Sequence, residues 1–417
     1  MNTEPKRIVI LGAGFGGIYT YLGLAKKARE QNLHITIVNR TNYFLFTPLL
    51  HEVATGGLNA HNVVEPIRKI IRKHRIDLCQ AEVKNINLNT KIVTTSLGEI
   101  PYDYLAITLG ATTNFYNVPG ADKYALVLKD LKDAVSLRNR FIDAFEIGSR
   151  LPSGDERKKL LTFAVVGGGA TGVELATEMS ELFLETFIRY YGDRINCNNG
   201  EVAIHLIHSG KELLERFPQK LRGHALKAIK QKGIELHLNT SVTEVTKEGI
   251  TLSDGSVINT AHTIWTAGVK PNVPKFIGKI ALHASGRIET NTTFKAVGTD
   301  NIFAIGDVAA VPDSVGSPIP MFAQAARQEG TALAKNLLRA ISNVKLEPFR
   351  YKPKGNLVSL GQWDAVGDIW GIPISGPIAW YIWRTVYLFN FASWAKRIKI
   401  AVDWTVNLFD SRDITKA

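Results

Sequence analysis

The 417-residue chain carries the stretch Gly12-Ala13-Gly14-Phe15-Gly16-Gly17 and repeats its pattern as Gly167-Gly168-Gly169-Ala170-Thr171-Gly172. The first stretch follows the apolar run Arg7–Leu11, the second follows Thr162–Val166, and a segment with helical periodicity comes after each. In such a strand–turn–helix, the first glycine allows a tight turn and the second lets a pyrophosphate approach the backbone. The third lets the helix pack closely against the strand. Both stretches therefore predict dinucleotide binding, and their repetition indicates a duplicated fold.

The segments around the two stretches indicate an α/β fold with two Rossmann-like dinucleotide-binding domains. After each unit, Lys84–Tyr104 and Val242–Ile264 alternate like antiparallel strands, with Asp254-Gly255 as a hairpin signal. The sequence predicts a discontinuous FAD-binding domain over residues 1–120 and 290–345. An NAD(P)H-binding domain is predicted over 121–289, and a C-terminal amphipathic helical region over 346–417.

Two dinucleotide sites in one chain favour a flavoprotein in which FAD stays bound and NAD(P)H visits for hydride transfer. The glycines predicted to contact FAD are Gly12, Gly14 and Gly17, and those predicted to contact NAD(P)H are Gly167, Gly169 and Gly172. The segment Thr299–Asp307 is an apolar strand that ends in a Gly-Asp pair. Alone, Asp307 would be a turn residue or helix cap, but beside two dinucleotide motifs it is predicted to bind the ribityl chain of FAD.

The acidic residue expected about twenty residues after each glycine stretch is missing. Asn39 ends the strand after the first stretch, and it can still hydrogen-bond a ribose hydroxyl of FAD. His208 and Ser209 end the strand after the second stretch, where a carboxylate would select NADH. His208, Ser209 and Lys211 can tolerate or bind a 2′-phosphate, so NADH and NADPH both remain open as substrates.

Further segments extend the pattern: Asn42–Leu50 with His51–Gly56, Tyr102–Gly110, Trp265–Val269, and Ala323-Gln324-Ala325-Ala326-Arg327-Gln328-Glu329-Gly330. With them the chain resembles, over essentially its whole length, the type II NADH:quinone dehydrogenases, single-subunit flavoenzymes that pump no protons. The resemblance implies hydride transfer from NAD(P)H to FAD and two-electron reduction of a quinone. It also implies FAD contacts at Thr47 and Gly110, and NAD(P)H contacts at Ala267 and Gly268.

Three side chains are candidates for the chemistry. Pro320 can begin a helix, which would place Gln324 in its first turn beside the flavin and quinone, with Gln328 on the same helical face. A helix N-terminus there would stabilise the negative charge of reduced flavin. Glu174 would ordinarily be a helix-dipole partner, whereas the resemblance places it near the nicotinamide as a proton-relay or orienting residue; the two roles are compatible.

The cysteine count excludes related chemistries. Cys79 and Cys197 are the two cysteines, and neither lies in Thr41–Leu58, where disulfide reductases and flavin-linked peroxidases need a thiol. Sulfide:quinone reductases need cysteines late in the chain, and none follows Cys197. Both cysteines are interpreted as buried apolar residues, and no metal site is predicted. Electrons must then leave the reduced flavin directly to a diffusing acceptor.

The C-terminal region is rich in aromatic residues, and the segment 378–409 is predicted to lie on a membrane surface. It is too short and too charged at Arg384 to span a bilayer. One helical face is predicted to contact lipid, and cations lie at its end. The face comprises Trp380, Trp383, Tyr387, Phe391, Trp394 and Ile398, and the cations are Lys396, Arg397 and Lys399. Packing on the protein's own core and a homodimer interface are the alternatives.

The net charge of +12 suits an anionic membrane surface and anionic cofactors, and no nucleic-acid motif accompanies it. A basic cluster at 68–75 is interpreted as a solvated helix face. Without a signal-peptide pattern, the expected location is peripheral, on the cytoplasmic side of the cell membrane. Two other functions remain open: a soluble FAD-dependent reductase of a ferredoxin-like protein acceptor, and a non-enzymatic nicotinamide sensor.

Overall fold

The computed structural model describes residues 4–28, 30–71, 76–196, 200–391, 394–409 and 411–416. Its strands are β1 (Lys6–Leu11), β2 (Leu33–Asn39), β3 (Tyr43–Leu45), β4 (Val64–Pro66), β5 (Ile76–Gln80), β6 (Val83–Asn87), β7 (Ile92–Thr95), β8 (Gly98–Pro101), β9 (Tyr104–Ile107), β10 (Ala111–Thr113), β11 (Leu126–Val127), β12 (Thr162–Val166), β13 (Ala203–Ile207), β14 (Glu235–His237), β15 (Val242–Val245), β16 (Gly249–Leu252), β17 (Val257–Asn259), β18 (His262–Trp265), β19 (Val269–Pro271), β20 (Lys275–Ile277), β21 (Ile288–Glu289), β22 (Ile302–Ala304), β23 (Ala309–Ala310), β24 (Asn356–Ser359), β25 (Ala365–Ile369) and β26 (Ile372–Ser375).

The helices follow the same chain order. They are α1 (Phe15–Ala25), α2 (Leu50–Ala54), α3 (Ile67–Ile71), α4 (Ala121–Tyr124), α5 (Leu131–Gly148), α6 (Asp155–Leu160), α7 (Ala170–Glu181), α8 (Ile188–Tyr191), α9 (Gln219–Gln231), α10 (Ala323–Ile341), α11 (Pro377–Phe389) and α12 (Trp394–Val406). A π-helical stretch, Leu182–Phe187, joins α7 to α8.

The chain divides into two compact units. Unit 1 comprises Met1–Leu45, Val64–Thr112 and Val269–Pro353, and unit 2 comprises Phe46–Val63, Thr113–Gly268 and Lys354–Ala417. These bounds differ from the predicted domains. Residues 269–289 belong to unit 1 because β20 pairs with β6. Residues 46–63 and the C-terminal region belong to unit 2, because α2 packs on α5 and α7 while α11 packs on β24–β26.

Unit 1 is built on a five-stranded parallel sheet in the order β22-β9-β1-β2-β5. Its central strand β1 is apolar and buried from Ile8 to Leu11, as expected for a sheet covered on both faces. The first glycine stretch follows β1 directly, so it lies at the carboxyl ends of the strands, where open α/β sheets bind ligands. A smaller sheet, β20-β6-β7-β8, contains the antiparallel strands predicted at 84–104.

Unit 2 repeats this design with the order β11-β18-β12-β13-β14, again all parallel. The second glycine stretch follows the central strand β12, which is buried along its whole length. The antiparallel sheet β15-β16-β17 carries the predicted Asp254-Gly255 turn between β16 and β17. The duplicated Rossmann-like fold read from the sequence is therefore confirmed.

Helix α10 lies against α1 within unit 1 at a distance that only small residues permit. A Cβ added at Gly330 would lie 2.4 Å from the carbonyl oxygen of Gly16, and one added at Gly23 would lie 2.5 Å from the Cβ of Ala334. This close contact brings the amino-terminal half of α10 beside the first glycine stretch. The candidate residues of α10 are thus held next to the predicted flavin cradle.

Candidate functional site

In unit 1 the first glycine stretch forms a cradle whose spacing is set by the chain itself. Gly12 has φ +97°, and a Cβ there would lie 2.5 Å from the carbonyl oxygen of Thr108. A Cβ at Gly17 would lie 1.9 Å from the oxygen of Gly12, whereas a Cβ at Gly14 meets nothing within 4 Å. The first and third glycines are therefore needed for packing, and the space at Gly14 suits an approaching pyrophosphate at the N-terminus of α1.

The second cradle, in unit 2, repeats this geometry. Gly167 has φ +123°, and its Cβ would lie 2.8 Å from the amide nitrogen of Ala267. A Cβ at Gly172 would lie 1.8 Å from the oxygen of Gly167, and a Cβ at Gly169 again meets nothing. Thr266 donates its hydroxyl to the carbonyl oxygen of Val166 at 2.9 Å. Both cradles fit a dinucleotide pyrophosphate, because each leaves space at the same middle glycine.

Each cradle also contains a threonine that was not predicted as a site residue. Thr108 of unit 1 donates its hydroxyl to the carbonyl oxygens of Leu11 and Gly12, at 2.8 and 2.9 Å. Thr266 does the same to its own cradle in unit 2. Each threonine follows the strand beside the central one, so the signal available in the sequence was the matching position of a threonine after two apolar strands.

Asn39 contacts the first cradle directly. Its side-chain oxygen accepts a hydrogen bond from the backbone N–H of Ala13 at 2.9 Å, and its amide nitrogen donates to the carbonyl and hydroxyl oxygens of Thr41. The side chain therefore holds the glycine loop against the end of β2. That contact places Asn39 where a ribose-binding residue is expected, with its carboxamide already engaged by the protein.

His208 occupies the matching place in the second cradle. Its Nδ1 accepts a hydrogen bond from the backbone N–H of Gly168 at 3.3 Å, and its Nε2 lies 3.8 Å from a carboxylate oxygen of Glu215. The Glu215 carboxylate also lies close over Gly210. A carboxylate therefore lies near the end of β13, at a position that spacing from the glycine stretch could not reveal.

The remaining predicted cofactor contacts fall in both units. Gly110 has φ +68° and accepts a hydrogen bond from the N–H of Asn272 at 2.9 Å in unit 1. In unit 2, Gly268 has φ +79° and Ala267 lies against Gly167 of the second cradle. Thr47 lies in unit 2, exposed, in a short 3-10 helix. These glycines have the left-handed backbone that the closing turns require.

Asp307, half-buried, lies in a charge cluster of unit 1. It follows β22 and is the middle residue of the 3-10 turn Gly306–Val308. The neighbouring Gly306 donates its N–H to Glu329 of α10 at 2.6 Å, and Arg287 provides positive charge to both carboxylates. Burial raises the pKa of Glu329 to about 7. The sequence did not single out Glu329 or Arg287, because a buried ion cluster leaves no local pattern.

The two glutamines of α10 have different surroundings. The helix begins at Ala323, not at Pro320, because Phe322 is extended at the N-cap with φ −125° and ψ 141°. Gln324 is nevertheless in the first turn and is half-buried. Gln328 exchanges two hydrogen bonds with the backbone of Lys352, donating at 2.8 Å and accepting at 3.2 Å. Its amide therefore holds the 352 segment against the helix.

Glu174 is deeply buried in unit 2, in the second turn of α7. The interpretation of a first-turn dipole partner is therefore wrong, because α7 begins at Ala170 and no acidic residue lies in its first turn. One carboxylate oxygen accepts a hydrogen bond from the N–H of Ser359 at 3.2 Å, and the other lies 3.7 Å from Nδ1 of His51. Burial, with Glu178 and Glu52 nearby, raises its pKa well above the usual value.

A network of buried carboxylates surrounds Glu174. Arg412 from the C-terminal segment forms ion pairs with Glu178 and Glu181 at 2.6 and 2.7 Å. Glu52 accepts a hydrogen bond from Nε1 of Trp404 at 2.6 Å, and burial raises its pKa. No local pattern in the sequence predicts this network, because its residues come from three distant segments of unit 2.

The tail forms two helices, α11 and α12, and the predicted lipid face is wrong at Trp380, Trp383 and Phe391. Trp380, Trp383 and Phe391 are nearly fully buried in unit 2, where the indole of Trp383 lies 5.9 Å from that of Trp404. Arg384 stacks over Trp380 at 3.7 Å. The packing alternative therefore holds for this face, because aromatic residues of this size stabilise a core when a partner surface is present.

A different apolar face of the tail is exposed. In α12 and just beyond it, large apolar side chains recur at four- and three-residue spacing with half or more of their surface exposed, which places them on one helical stripe: Trp394, Ile398, Val402, Val406 and Phe409. Ile378, Tyr381 and Phe389 are likewise exposed on α11. Of the predicted face, Trp394 and Ile398 alone belong to this stripe.

The structure also bears on the cysteines, the basic cluster and the possibility of a membrane-spanning helix. Cys79 is half-buried in β5, so its interpretation as a buried residue is wrong. Cys197, and residues 72–75 of the basic cluster, lie outside the described residues. Within the part of the chain that the structure describes, no helix is both long and apolar enough to cross a membrane.

Known proteins place this arrangement in a family. A sequence profile of the pyridine nucleotide-disulphide oxidoreductases matches residues 6–330, and one of the NDH2 C-terminal domain matches residues 354–413. The type II NADH:quinone oxidoreductase Ndh of Mycobacterium tuberculosis is 32% identical over 97% of this chain and 89% of its own length. This chain belongs to the type II NADH:quinone oxidoreductase family. The resemblance read from the sequence is confirmed.

Two further similarities extend over the whole chain. The demethylphylloquinone reductase NdbB of Synechocystis is 32% identical and aligned over 97% of this chain and 96% of its own length. The structure of NDH2 from Plasmodium falciparum in complex with NADH covers 99% of this chain and 100% of its own, with a TM-score of 0.90 and 24% identity. The latter similarity shows a shared fold.

Proposed function

We propose that this protein oxidises NADH and reduces a membrane quinone through bound FAD, without pumping protons. The observation that carries the proposal is the repeated cradle. Each unit leaves open space at one middle glycine, Gly14 or Gly169, at the N-terminus of a helix. Unit 1 would hold FAD and unit 2 would receive NADH, and membership of the family supports this division of labour.

The residues of unit 1 fit an anionic flavin dinucleotide. FAD, when bound, accepts hydride from the nicotinamide and passes two electrons to the quinone. The cradle N–H groups at the start of α1 bind its pyrophosphate, and Asp307 is the proposed partner of the ribityl chain. Arg287 and Glu329 position the Gly306 turn that presents Asp307. The N-terminus of α10 provides positive potential for the reduced flavin.

Glu174 is the proposed proton-holding residue near the nicotinamide. Burial raises its pKa well above the usual value, which favours the protonated carboxyl, and the N–H of Ser359 donates a hydrogen bond that fixes its orientation. A protonated carboxyl can donate a hydrogen bond or release a proton when its surroundings change. Quinone reduction consumes two protons, so a buried acid with this property suits the reaction.

NADH is the proposed substrate, with NADPH disfavoured. The 2′-phosphate of NADPH would lie near the end of β13, where the Glu215 carboxylate stands 3.8 Å from His208. A carboxylate at this place would repel a 2′-phosphate, whereas ribose hydroxyls can donate hydrogen bonds to it. Glu215 therefore takes the selecting role that the glycine-stretch pattern normally gives to the last residue of the strand.

Gln324 is the proposed hydrogen-bond partner of the quinone. It lies in the first turn of α10, half-buried, and its carboxamide can both donate and accept. Gln328 acts as a positioning residue, because both polar atoms of its amide bind the backbone of Lys352. The shared helical face predicts that both glutamines lie near the quinone, whereas the contacts of Gln328 favour a different role for each.

Peripheral binding to the cytoplasmic face of the cell membrane is proposed through the exposed stripe of α12. Apolar side chains on one face of a helix insert to the acyl boundary, and Lys399, exposed beside them, suits lipid phosphates. A quinone dissolved in that membrane would be within reach. The homodimer remains a prediction.

Selective blocking of the two cradles tests the proposal. Gly14→Val and Gly169→Val add side chains into open space at extended backbone positions, so the fold should tolerate both. We expect Gly14→Val to purify with little FAD. Gly169→Val should keep its FAD and show a KM for NADH raised by more than tenfold. Retention of FAD by Gly14→Val, or an unchanged KM in Gly169→Val, would contradict the proposal.

The acceptor is tested with the wild-type holoenzyme. NADH oxidation is followed with a ubiquinone analogue, a menaquinone analogue and a ferredoxin. Faster turnover with ferredoxin than with either quinone would favour the protein-acceptor function. Tight NADH binding without turnover on any acceptor would favour the sensor.

A further inference from the structure

Three metal-ligating side chains converge at the edge of the unit 2 sheet: His205, Glu235 and His237. In the pairing of β13 with the edge strand β14, His205 lies opposite Glu235, and Ile207 lies opposite His237. Because alternate residues of a strand project to the same face, all three side chains leave the sheet on one side. One ligand atom from each lies within 4.8 Å of the others.

The separations match those of ligands around a small cation. Nδ1 of His205 lies 3.1 Å from Nε2 of His237 and 3.3 Å from a carboxylate oxygen of Glu235. Ligand atoms that bind a tetrahedral Zn²⁺ at about 2.0–2.1 Å lie roughly 3.3 Å apart. Both separations from His205 are therefore close to those of ligands that share one ion, and the atoms of Glu235 and His237 lie within 4.8 Å of each other.

The protonation of the cluster also suits a metal. Two ring nitrogens 3.1 Å apart can share one proton but cannot both carry one without repulsion. Imidazole must be neutral to ligate, so at least one of the two rings presents a nitrogen lone pair to the shared space.

We propose that His205, Glu235 and His237 bind one divalent transition-metal ion of the Zn²⁺ class. Two imidazoles and a carboxylate suit Zn²⁺, Co²⁺, Ni²⁺ or Cu²⁺, whereas Mg²⁺ and Ca²⁺ prefer oxygen ligands alone. Water completes the coordination, since Glu235 is exposed. The sequence predicts no metal site, because its thiols lack the spacing and the two histidines are brought together by strand pairing alone.

The ion would fasten the edge strand to the nucleotide-binding part of unit 2. It joins β14 to β13, and the residue after β13 is His208, which accepts a hydrogen bond from Gly168 of the second cradle. A metal that binds the folded state and not the unfolded chain stabilises the fold according to its concentration. The inference does not depend on which electron acceptor the enzyme uses.

Calorimetric titration with ZnCl₂ tests the site. The flavin-loaded enzyme, treated with a chelating resin, is titrated at pH 7.5. We expect one site per chain that His237→Gln and Glu235→Gln each weaken by more than about tenfold. His34→Gln is the matched control, because His34 pairs with Asp77 at 3.0 Å across two parallel strands and belongs to no cluster of three ligating side chains among the described residues. MgCl₂ should produce no comparable binding.

Thermal unfolding provides a second measurement of Zn²⁺ binding. Zn²⁺ should raise the unfolding temperature of the wild-type protein and of His34→Gln, and should do so less in Glu235→Gln. Glu235 is exposed, so this variant keeps the fold even if the histidine variant does not. An equal Zn²⁺ affinity in the wild type and Glu235→Gln, or no Zn²⁺ binding by the wild type, would overturn the proposal.

Discussion

Individual residues separate what the fold needs from what the ligands need. Gly12, Gly17, Gly167 and Gly172 have no room for a Cβ because the chain's own carbonyl oxygens or amides occupy the space. The middle glycine of each stretch has room, so its small size serves a ligand and not the packing. Polar residues at the strand ends complete the cradles, and their effects on selectivity and pH dependence can be measured singly.

Glu215 is predicted to select NADH. Glu215→Gln removes the charge proposed to face the ribose of the nucleotide. The NADH:NADPH ratio of kcat/KM should fall by about three- to tenfold, since the carboxylate is partly exposed and screened. Glu212→Gln is the matched control, because Glu212 is a nearby exposed carboxylate paired with Arg222. An unchanged ratio in Glu215→Gln would show that selection lies elsewhere.

Glu329 should make stability depend on pH. Its pKa is about 7 in the folded state and near 4.5 when unfolded, so the folded protein binds the extra proton between these values. The stabilisation is complete below pH 4.5 and falls as pH rises to 7, by up to about 3 kcal/mol. Glu329→Gln should lack this fall.

Urea unfolding of both proteins at pH 5 and pH 8 measures the effect. Exposed Glu99→Gln on β8 is the control and should follow the wild type. A constant difference between the wild type and Glu329→Gln at the two pH values would contradict the assigned titration.

Among the elements, the sheets and the tail differ in how well the sequence predicts them. β12 has the bounds that its apolar run predicts, whereas α10 begins three residues late because the segment before it is extended. Apolar periodicity identified the tail helices but not their orientation. α11 and α12 carry apolar side chains on more than one face. Which face is buried depends on contacts with residues distant in sequence, such as the hydrogen bond from Trp404 of α12 to Glu52.

The exposed stripe of α12 should carry membrane binding. Ile398→Glu combined with Val402→Glu places two carboxylates where apolar side chains meet lipid, and should lower binding to anionic vesicles by about a hundredfold. Leu97→Glu with Val315→Glu, two exposed apolar positions of unit 1, is the matched control. Cosedimentation with phosphatidylglycerol-containing vesicles measures the difference, and equal binding by both double variants would count against the stripe.

At the scale of the whole molecule, duplication was readable from the sequence and long-range clusters were not. Two glycine stretches after apolar strands were enough to predict both dinucleotide-binding units, and further segments such as Ala323–Gly330 were needed to predict the family. The buried ion cluster of Glu178, Glu181 and Arg412 unites segments more than 200 residues apart, and no local pattern encodes it. The two units also divide at 268/269, whereas the predicted domain boundary lies at 289/290. The difference arises because β20 pairs with β6, which is distant in sequence.

The proposed activity passes electrons from NADH through FAD to a quinone. It can be followed by anaerobic stopped-flow mixing of the wild-type holoenzyme with NADH and then with a menaquinone analogue, with visible flavin absorbance as the signal. We expect rapid bleaching by NADH, slower bleaching by NADPH, and full recovery of the absorbance when the quinone is added. No bleaching by NADH, or no recovery with the quinone, would show that the activity is assigned wrongly.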